Sequence, residues 1–435
     1  MPQDTNIAEK TYDLITDDGE TRACDAIAEE ACQEAPGSFF KNAFNGFCTK
    51  LAEQLTSPGV VIPWVLSVLN ASVGLSGLLV PIKNAGSLLP QLIVSAKIRA
   101  FAVRKYFWAG AGIMQGIMLA LMAWVIYALD GNLAGYLIVA GLFIYSVASG
   151  VGSIAFKDVM GKTIPKGKRG RLLALRATGG GVLTVVAGLI FYFYFNENTS
   201  EIVYVGLFAI AAVLWWLAAA LFASIDEKKG AQEGGRTPIQ ELKNGFTILK
   251  EDTNFRNFLI TRALLMAIPL AQPFLILYAR EILDASLQGL GLFVIVTGIS
   301  NAVSSPFWGK FADKSSRGLM AVVAVLGIVT CLYAAFFEQL PDSWQHIYAY
   351  APVFFLIVMA HGGARLSRKT YLVDYAPKKE RPLYVSLANT VIGIFTILTA
   401  GIGIIAEAFS LQVLLYFLMA MLLVAIVLSI QLKKT

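Results

Sequence analysis

The chain has 435 residues, of which 57% are hydrophobic and 15% charged. A water-facing surface draws on roughly 25% charged residues, so soluble domains are excluded, as are a disordered, collagen-like or disulfide-scaffold chain. The net charge of +6 hides an acidic first segment and a more basic remainder.

In chain order, residues 1–40 form a polar tail with ten acids and two bases. It lacks the basic and apolar regions of a signal peptide. Cys24, Ile27, Ala28, Ala31 and Cys32 are spaced for a short amphipathic helix within it. With Cys48 and Cys331 added, the four cysteines are too few and too scattered for a disulfide framework or a zinc site.

From Lys41 onward, apolar stretches long enough to cross a bilayer alternate with short connections. They fall at 41–68, 71–97, 106–129, 132–156, 172–195, 201–225, 255–280, 286–308, 318–337, 345–366, 383–406 and 411–431. The fold class is an all-α membrane protein with twelve transmembrane helices. The even-numbered connections hold 26 of the 35 bases and the odd-numbered ones only Arg280. Basic connections stay cytoplasmic, which puts both termini in the cytoplasm. The excess of base is thus an orientation signal and does not point to nucleic acid.

The longest connection divides the chain into four parts: an acidic cytoplasmic tail (1–40), an N-terminal six-helix bundle (41–225), a cytoplasmic linker (226–254) and a C-terminal six-helix bundle (255–431). Thr237-Pro238-Ile239-Gln240 in the linker has the form of a capping box and predicts a surface helix to about Leu249. The halves repeat. Arg104 closes the connection after span 2 and Arg317 the one after span 8; Pro165 to Arg169 follows span 4 and Pro377 to Arg381 follows span 10. Both pairs share an offset of about 212 residues, as expected of a six-span unit duplicated in parallel.

Between spans 8 and 9, Gly309-Lys-Phe-Ala-Asp313-Lys314-Ser-Ser-Arg317-Gly318 resembles the loop signature of the major facilitator superfamily. With twelve spans and the 6+6 repeat, the resemblance covers about residues 41–431. It implies that Asp313 caps the cytoplasmic end of a neighbouring span and pairs with nearby bases, contacts that hold one transporter state against the other. The equivalent N-half loop has Ala96 and Ala100 where the signature has its Gly and Asp, so another acid is needed there. Asp158 and Asp374, at repeat-related positions beside Arg169 and Arg381, are the candidates.

Ionisable groups inside spans are costly, about 2.5–3.5 kcal/mol each at a helix centre, and mark function first. Span 1 carries a stripe of Asn42, Asn45, Thr49, Glu53 and Thr56, with Lys50 three residues before Glu53. Ser57-Pro58-Gly59 interrupts this helix and frees backbone groups that must face protein or water. The stripe reads as cavity lining with Glu53 as a proton carrier, or as a static Lys50–Glu53 pair. Lys83 lies mid-span 2, Arg262 and Gln272 in span 7, and His361 in span 10 with Arg365 a turn on. The resemblance implies that spans 1, 4, 7 and 10 surround the substrate path, which adds Tyr145 and Ser149 of span 4. The alternative for Arg262 and Arg365 is reach to headgroups, and for His361 a place in the core.

Three patterns are discounted. Met114, Met118 and Met122 on span 3 read as packing. Gly150-Val-Gly152 lies inside a span, where a dinucleotide fingerprint has no preceding strand. Gly179-Gly180-Gly181 and Gly188 of span 5 read as close helix packing. No zinc, P-loop or nucleophile-elbow motif appears, so the chain reads as a non-enzyme with no cofactor and no metal. What the resemblance implies is a monomeric secondary active transporter, a symporting permease working by alternating access. Lys83 and Arg262 favour a small anionic or zwitterionic solute as partner, with protons coupled through Glu53 or His361. The alternatives are an exporter of amphipathic or drug-like solutes, and a membrane sensor on a transporter fold.

Overall fold

The computed structural model describes residues 29–89, 100–165, 168–194, 202–229, 247–283, 287–377 and 380–434, with 11–13, 27, 94 and 98. Among them every regular element is helical. Eight of the expected spans are single helices: Lys105–Ala128, Gly131–Thr163, Arg169–Tyr194 and Ile202–Ala223 for spans 3 to 6, Leu287–Lys314, Ser316–Ala335 and Ile347–Tyr375 for spans 8 to 10, and Leu411–Gln431 for span 12. The other four are broken or only partly described. Span 1 runs as Ala35–Leu55 and Val61–Val68, span 2 as Val73–Leu88, span 7 as Thr253–Leu264 and Ala267–Leu283, and span 11 as Arg381–Leu398 and Ile402–Ala408 around a short 3₁₀ turn.

Among the described residues, ten helices are long and apolar enough to cross a membrane, and the described parts of spans 1 and 2 are not among them. Span 1 begins at Ala35, with Pro36 in its first turn, a position where a missing N–H costs nothing. It breaks where Ser57-Pro58-Gly59 predicts. There the Ser57 carbonyl accepts from Val61 at 2.9 Å and from Ile62 at 3.0 Å, which satisfies groups the break would otherwise orphan. The surface helix expected from Thr237 lies largely outside the described residues, although 247–251 are helical. Among the described cysteines, Cys32 is disulfide-bonded while Cys48 and Cys331 are free; Cys24 lies outside the described residues.

Small residues set the closest approaches. A Cβ on Gly180 would lie 2.4 Å from Cβ of Lys50 in span 1, and one on Gly188 2.8 Å from the Ile295 backbone of span 8. The glycines of span 5 are therefore packing positions against both neighbours. Of the methionine stripe, Met118 and Met122 are buried and Met114 is exposed.

The two halves meet at the end opposite the basic connections. Ser72 Oγ donates to Glu407 at 2.6 Å, the hydroxyls of Tyr192 and Tyr348 lie 2.6 Å apart, and the Arg280 guanidinium sits 5.5 Å from the Trp64 ring centre. A Cβ on Gly77 would come 2.6 Å from the backbone of Gly403, so spans 2 and 11 touch main chain to main chain. At the basic end, by contrast, each half ties its own helices together. Lys105 donates to Ile225 at the end of span 6, and Arg317 donates to Leu432 at 2.6 Å and to Ile430 at 3.0 Å at the end of span 12. Both contacts place a cation on a helix C-terminus, where the dipole favours it.

Candidate functional site: a cationic cavity between the halves

Spans 4 and 10 carry their charge further than hydropathy suggests. Lys157 lies within the helix of span 4, and Arg365, Arg368 and Lys369 lie within that of span 10. These four bases are wall residues rather than parts of connections, a correction to the loop count. On span 10 the steps from His361 to Arg365, Arg368 and Lys369 are four, seven and eight, which is one helix face.

Lys83, Lys157, Arg365 and Lys369 are exposed, and they feel one another across the gap between halves. Lys83 of span 2 is in electrostatic reach of Arg365, and Lys369 of span 10 is in reach of Lys157 and Arg262. Lys50 pairs with Glu53 at 2.6 Å on span 1, and the field of Glu53 also reaches Lys83, Arg176 and Tyr145. Among the described wall residues Glu53 is the only carboxylate. The outcome is a cluster of bases on facing helices of the two halves, where the local field is strongly positive.

Gln272 Nε2 and His361 Nδ1 are 3.1 Å apart. The Gln272 side chain fills the space beside Gly59, where a Cβ would meet its Oε1 at 2.5 Å. Span 7 thus links the break in span 1 to span 10, bringing together two residues singled out in the sequence. Arg262 is 6% exposed and donates to Asn389 of span 11 at 2.9 Å, so it does not reach out to headgroups. Tyr145 is buried edge-on against the Trp215 ring at 5.8 Å, behind the charged layer. Ser149 is half-buried one turn further along.

The span 1 stripe corrects one expectation. Asn42, Asn45, Thr49 and Thr56 are all buried, and only Glu53 opens to the cavity. Arg176 of span 5 donates to the Asn42 carbonyl at 2.5 Å, to the Asn42 side chain and to Asn45 Oδ1 at 2.9 Å, over the Phe156 ring. The N-terminal half of the stripe is therefore a seat for an arginine that the sequence did not single out.

At the basic end of the N half, Asp158 receives Arg104 and, at 3.0 Å, Lys162. Lys162 also meets Glu227 at 2.7 Å, and Glu227 accepts the backbone N–H groups of Arg104 and Lys105, each at 2.7 Å. Glu227 closes the first turn of span 3 as a capping carboxylate, a role the sequence did not reveal. Arg169 caps span 4 through the carbonyls of Gly161 at 2.7 Å and Ile164 at 3.0 Å. The C half differs. Asp374 and Lys314 are exposed and Gly309 is half-buried, while the side chains of Asp313 and Arg381 lie outside the described residues. There Asp252 takes the hydroxyls of Tyr375 at 2.7 Å and Tyr384 at 3.2 Å and caps Phe255 at 2.9 Å.

The twelve-helix, two-bundle architecture coincides with a match to the family model described as Major Facilitator Superfamily, over residues 43–364 and again over 258–434. The chain belongs to the major facilitator superfamily. Within its range of relatives, the Mycobacterium tuberculosis protein Rv2209, itself uncharacterized, is 26% identical over 384 residues, covering 86% of this chain and 73% of the relative. The multidrug resistance protein MdtG of Proteus mirabilis is 32% identical over 80 residues, 18% of this chain and 19% of MdtG. The solved nucleoside transporter NupG superposes with a TM-score of 0.71 at 13% identity, covering 91% of this chain and 99% of NupG, a likeness of fold alone.

Proposed function

We propose that this multi-pass membrane protein is a secondary active transporter of a small anionic or zwitterionic organic solute, working by alternating access as a monomer in the bacterial inner membrane. The observation that carries the reading is a cluster of bases between the halves: Lys83, Lys157, Arg262, Arg365, Arg368 and Lys369 stand within one another's fields, with Glu53, among the described residues, as the carboxylate that reaches Lys83. Two of them, Arg262 and Arg368, keep a buried guanidinium nitrogen without a partner among the described residues, and such a cation is costly unless an anion joins it. With both termini and the basic connections in the cytoplasm, the arrangement is inward-facing, sealed to the outside at Ser72–Glu407 and Gly77–Gly403. The moving units are the bundles 41–225 and 255–431, and the tail and linker stay cytoplasmic. Asp158, Arg104, Lys162 and Glu227 brace the N half, while the signature loop from Gly309 to Arg317 serves the C half. Glu53, or His361 through Gln272, carries the coupled proton.

The test is reconstitution in liposomes with a pH-sensitive dye. Addition of an anionic solute should drive proton flux, and Lys83→Ala or Arg262→Ala should abolish binding. If both variants bind like the parent, the charged-cavity reading fails. Export of amphipathic solutes is the second reading, favoured by the MdtG segment. It requires transport of amphipathic dyes that is indifferent to Lys83→Ala.

A further inference from the structure

Two guanidinium groups at the same depth of the cavity wall have donors left over. Arg262 is 6% exposed, its Nη2 donates to Asn389, and its Nε is buried with no partner. Arg368, facing it from span 10, also has a buried Nε with no partner among the described residues. The two feel each other's charge, and Arg365 and Lys369 add theirs. No carboxylate among the described residues pairs with any of these four. Arg262 lies nine residues into its helix, about 13 Å from the helix start at 1.5 Å per residue. Arg368 stands seven residues before Tyr375, where span 10 ends at the same face.

Such an arrangement is unfavourable when empty. A buried guanidinium with unmet donors carries a desolvation penalty of several kcal/mol, and a second cation beside it adds repulsion. Asn389 nonetheless holds Arg262 in place, so its fork is oriented before any guest arrives. Guanidinium forks match the paired oxygens of phosphate and carboxylate groups, where an ammonium does not. One negative charge would leave most of the four cations uncompensated.

Resting on the anion reading above, we propose that Arg262 and Arg368 form a clamp for a doubly charged anionic headgroup, of the phosphate monoester or dicarboxylate class, with Arg365 and Lys369 supplying the second layer of charge. The clamp spans helices 7 and 10 of one half, so it travels with that half. Lys83, across the gap, then meets the far end of the solute.

The test uses the purified full-length protein and four probes: glycerol 3-phosphate, succinate, lactate and glycerol, titrated by calorimetry. At least one dianion should bind about tenfold or more tightly than lactate, and glycerol should not bind. Glycerol 3-phosphate against succinate decides which headgroup the clamp prefers. Arg262→Lys and Arg368→Lys keep the charge but not the fork, and each should weaken the dianion about tenfold while leaving the unfolding temperature near that of the parent. If lactate binds as tightly as both dianions, or if Arg368→Lys binds like the parent, the clamp is overturned and the anion reading stands. If none of the three anions binds, both fall.

Discussion

Asp158 of span 4 holds Arg104, the first base of the pair that closes the span 2–3 connection. Lys162 and Glu227 extend the contact into a four-residue chain, and we propose that this carboxylate stands in for the acid missing at Ala100. Its repeat-related counterpart, Asp374, is exposed. Duplicated halves have thus solved one bracing problem with different residues.

Asp158→Asn should therefore destabilise the protein, and Asp374→Asn should not. Arg104 is largely buried but Asp158 is about a quarter exposed, so the loss is about 1–3 kcal/mol, below that of a fully buried pair. Thermal unfolding of both variants in detergent checks this. Equal midpoints for the two would refute the assignment.

Closure of the end opposite the basic connections rests on main-chain contact between spans 2 and 11. A Cβ on Gly403 would come 2.5 Å from the Gly74 carbonyl oxygen, and backbone cannot move aside as a side chain can. Gly403→Val should split this seal and shift the protein toward the opposite arrangement. The readout is Lys83→Cys, labelled by a membrane-impermeant maleimide from each side of oriented vesicles. Labelling from the basic face should fall with Gly403→Val, and labelling from the other face should rise.

Hydropathy made the twelve spans, the break at Ser57-Pro58-Gly59 and the duplication legible, because each leaves a local mark in composition or punctuation. It placed the end of span 10 at 366, while the helix continues to Tyr375. Hydropathy reports contact with lipid, and a helix lining a watery cavity keeps its hydrogen bonds without staying apolar. Arg368 and Lys369 were therefore read as connection. Their spacing from His361 was the available signal. Glu227 and Arg176 left no such mark: Glu227 caps a helix more than a hundred residues away, and Arg176 sits on Asn42 at a separation of 134. The polar stripe of span 1 was visible, but polarity alone could not tell a cavity wall from the seat of a buried arginine.

Glu53 pairs with Lys50 and its field reaches Lys83, so its neutralisation should separate binding from coupling. Glu53→Gln should retain or tighten anion binding, since a competing negative charge is gone. Solute-driven proton flux in liposomes should disappear. Undiminished flux would move the proton to His361, which Gln272→Ala, removing the 3.1 Å contact, would then expose as a loss of flux.

Arg176 anchors span 5 to span 1. It fills the space beside Gly46, where a Cβ would meet its Cγ at 2.4 Å, and saturates oxygens of Asn42 and Asn45. Arg176→Met keeps the volume of the aliphatic stem but removes the donor to the side-chain oxygens of Asn42 and Asn45, at about 1–3 kcal/mol for each buried acceptor left unmet. Loss of the cation over Phe156 removes about 1 kcal/mol more. Asn45 keeps its bond to the Ala218 carbonyl at 2.9 Å, so span 6 stays attached and the defect is confined to the span 1–5 contact. The expected result is a lowered unfolding temperature with anion affinity at Arg262 and Arg368 unchanged. An affinity loss equal to that of Arg262→Lys would instead place Arg176 in the substrate path.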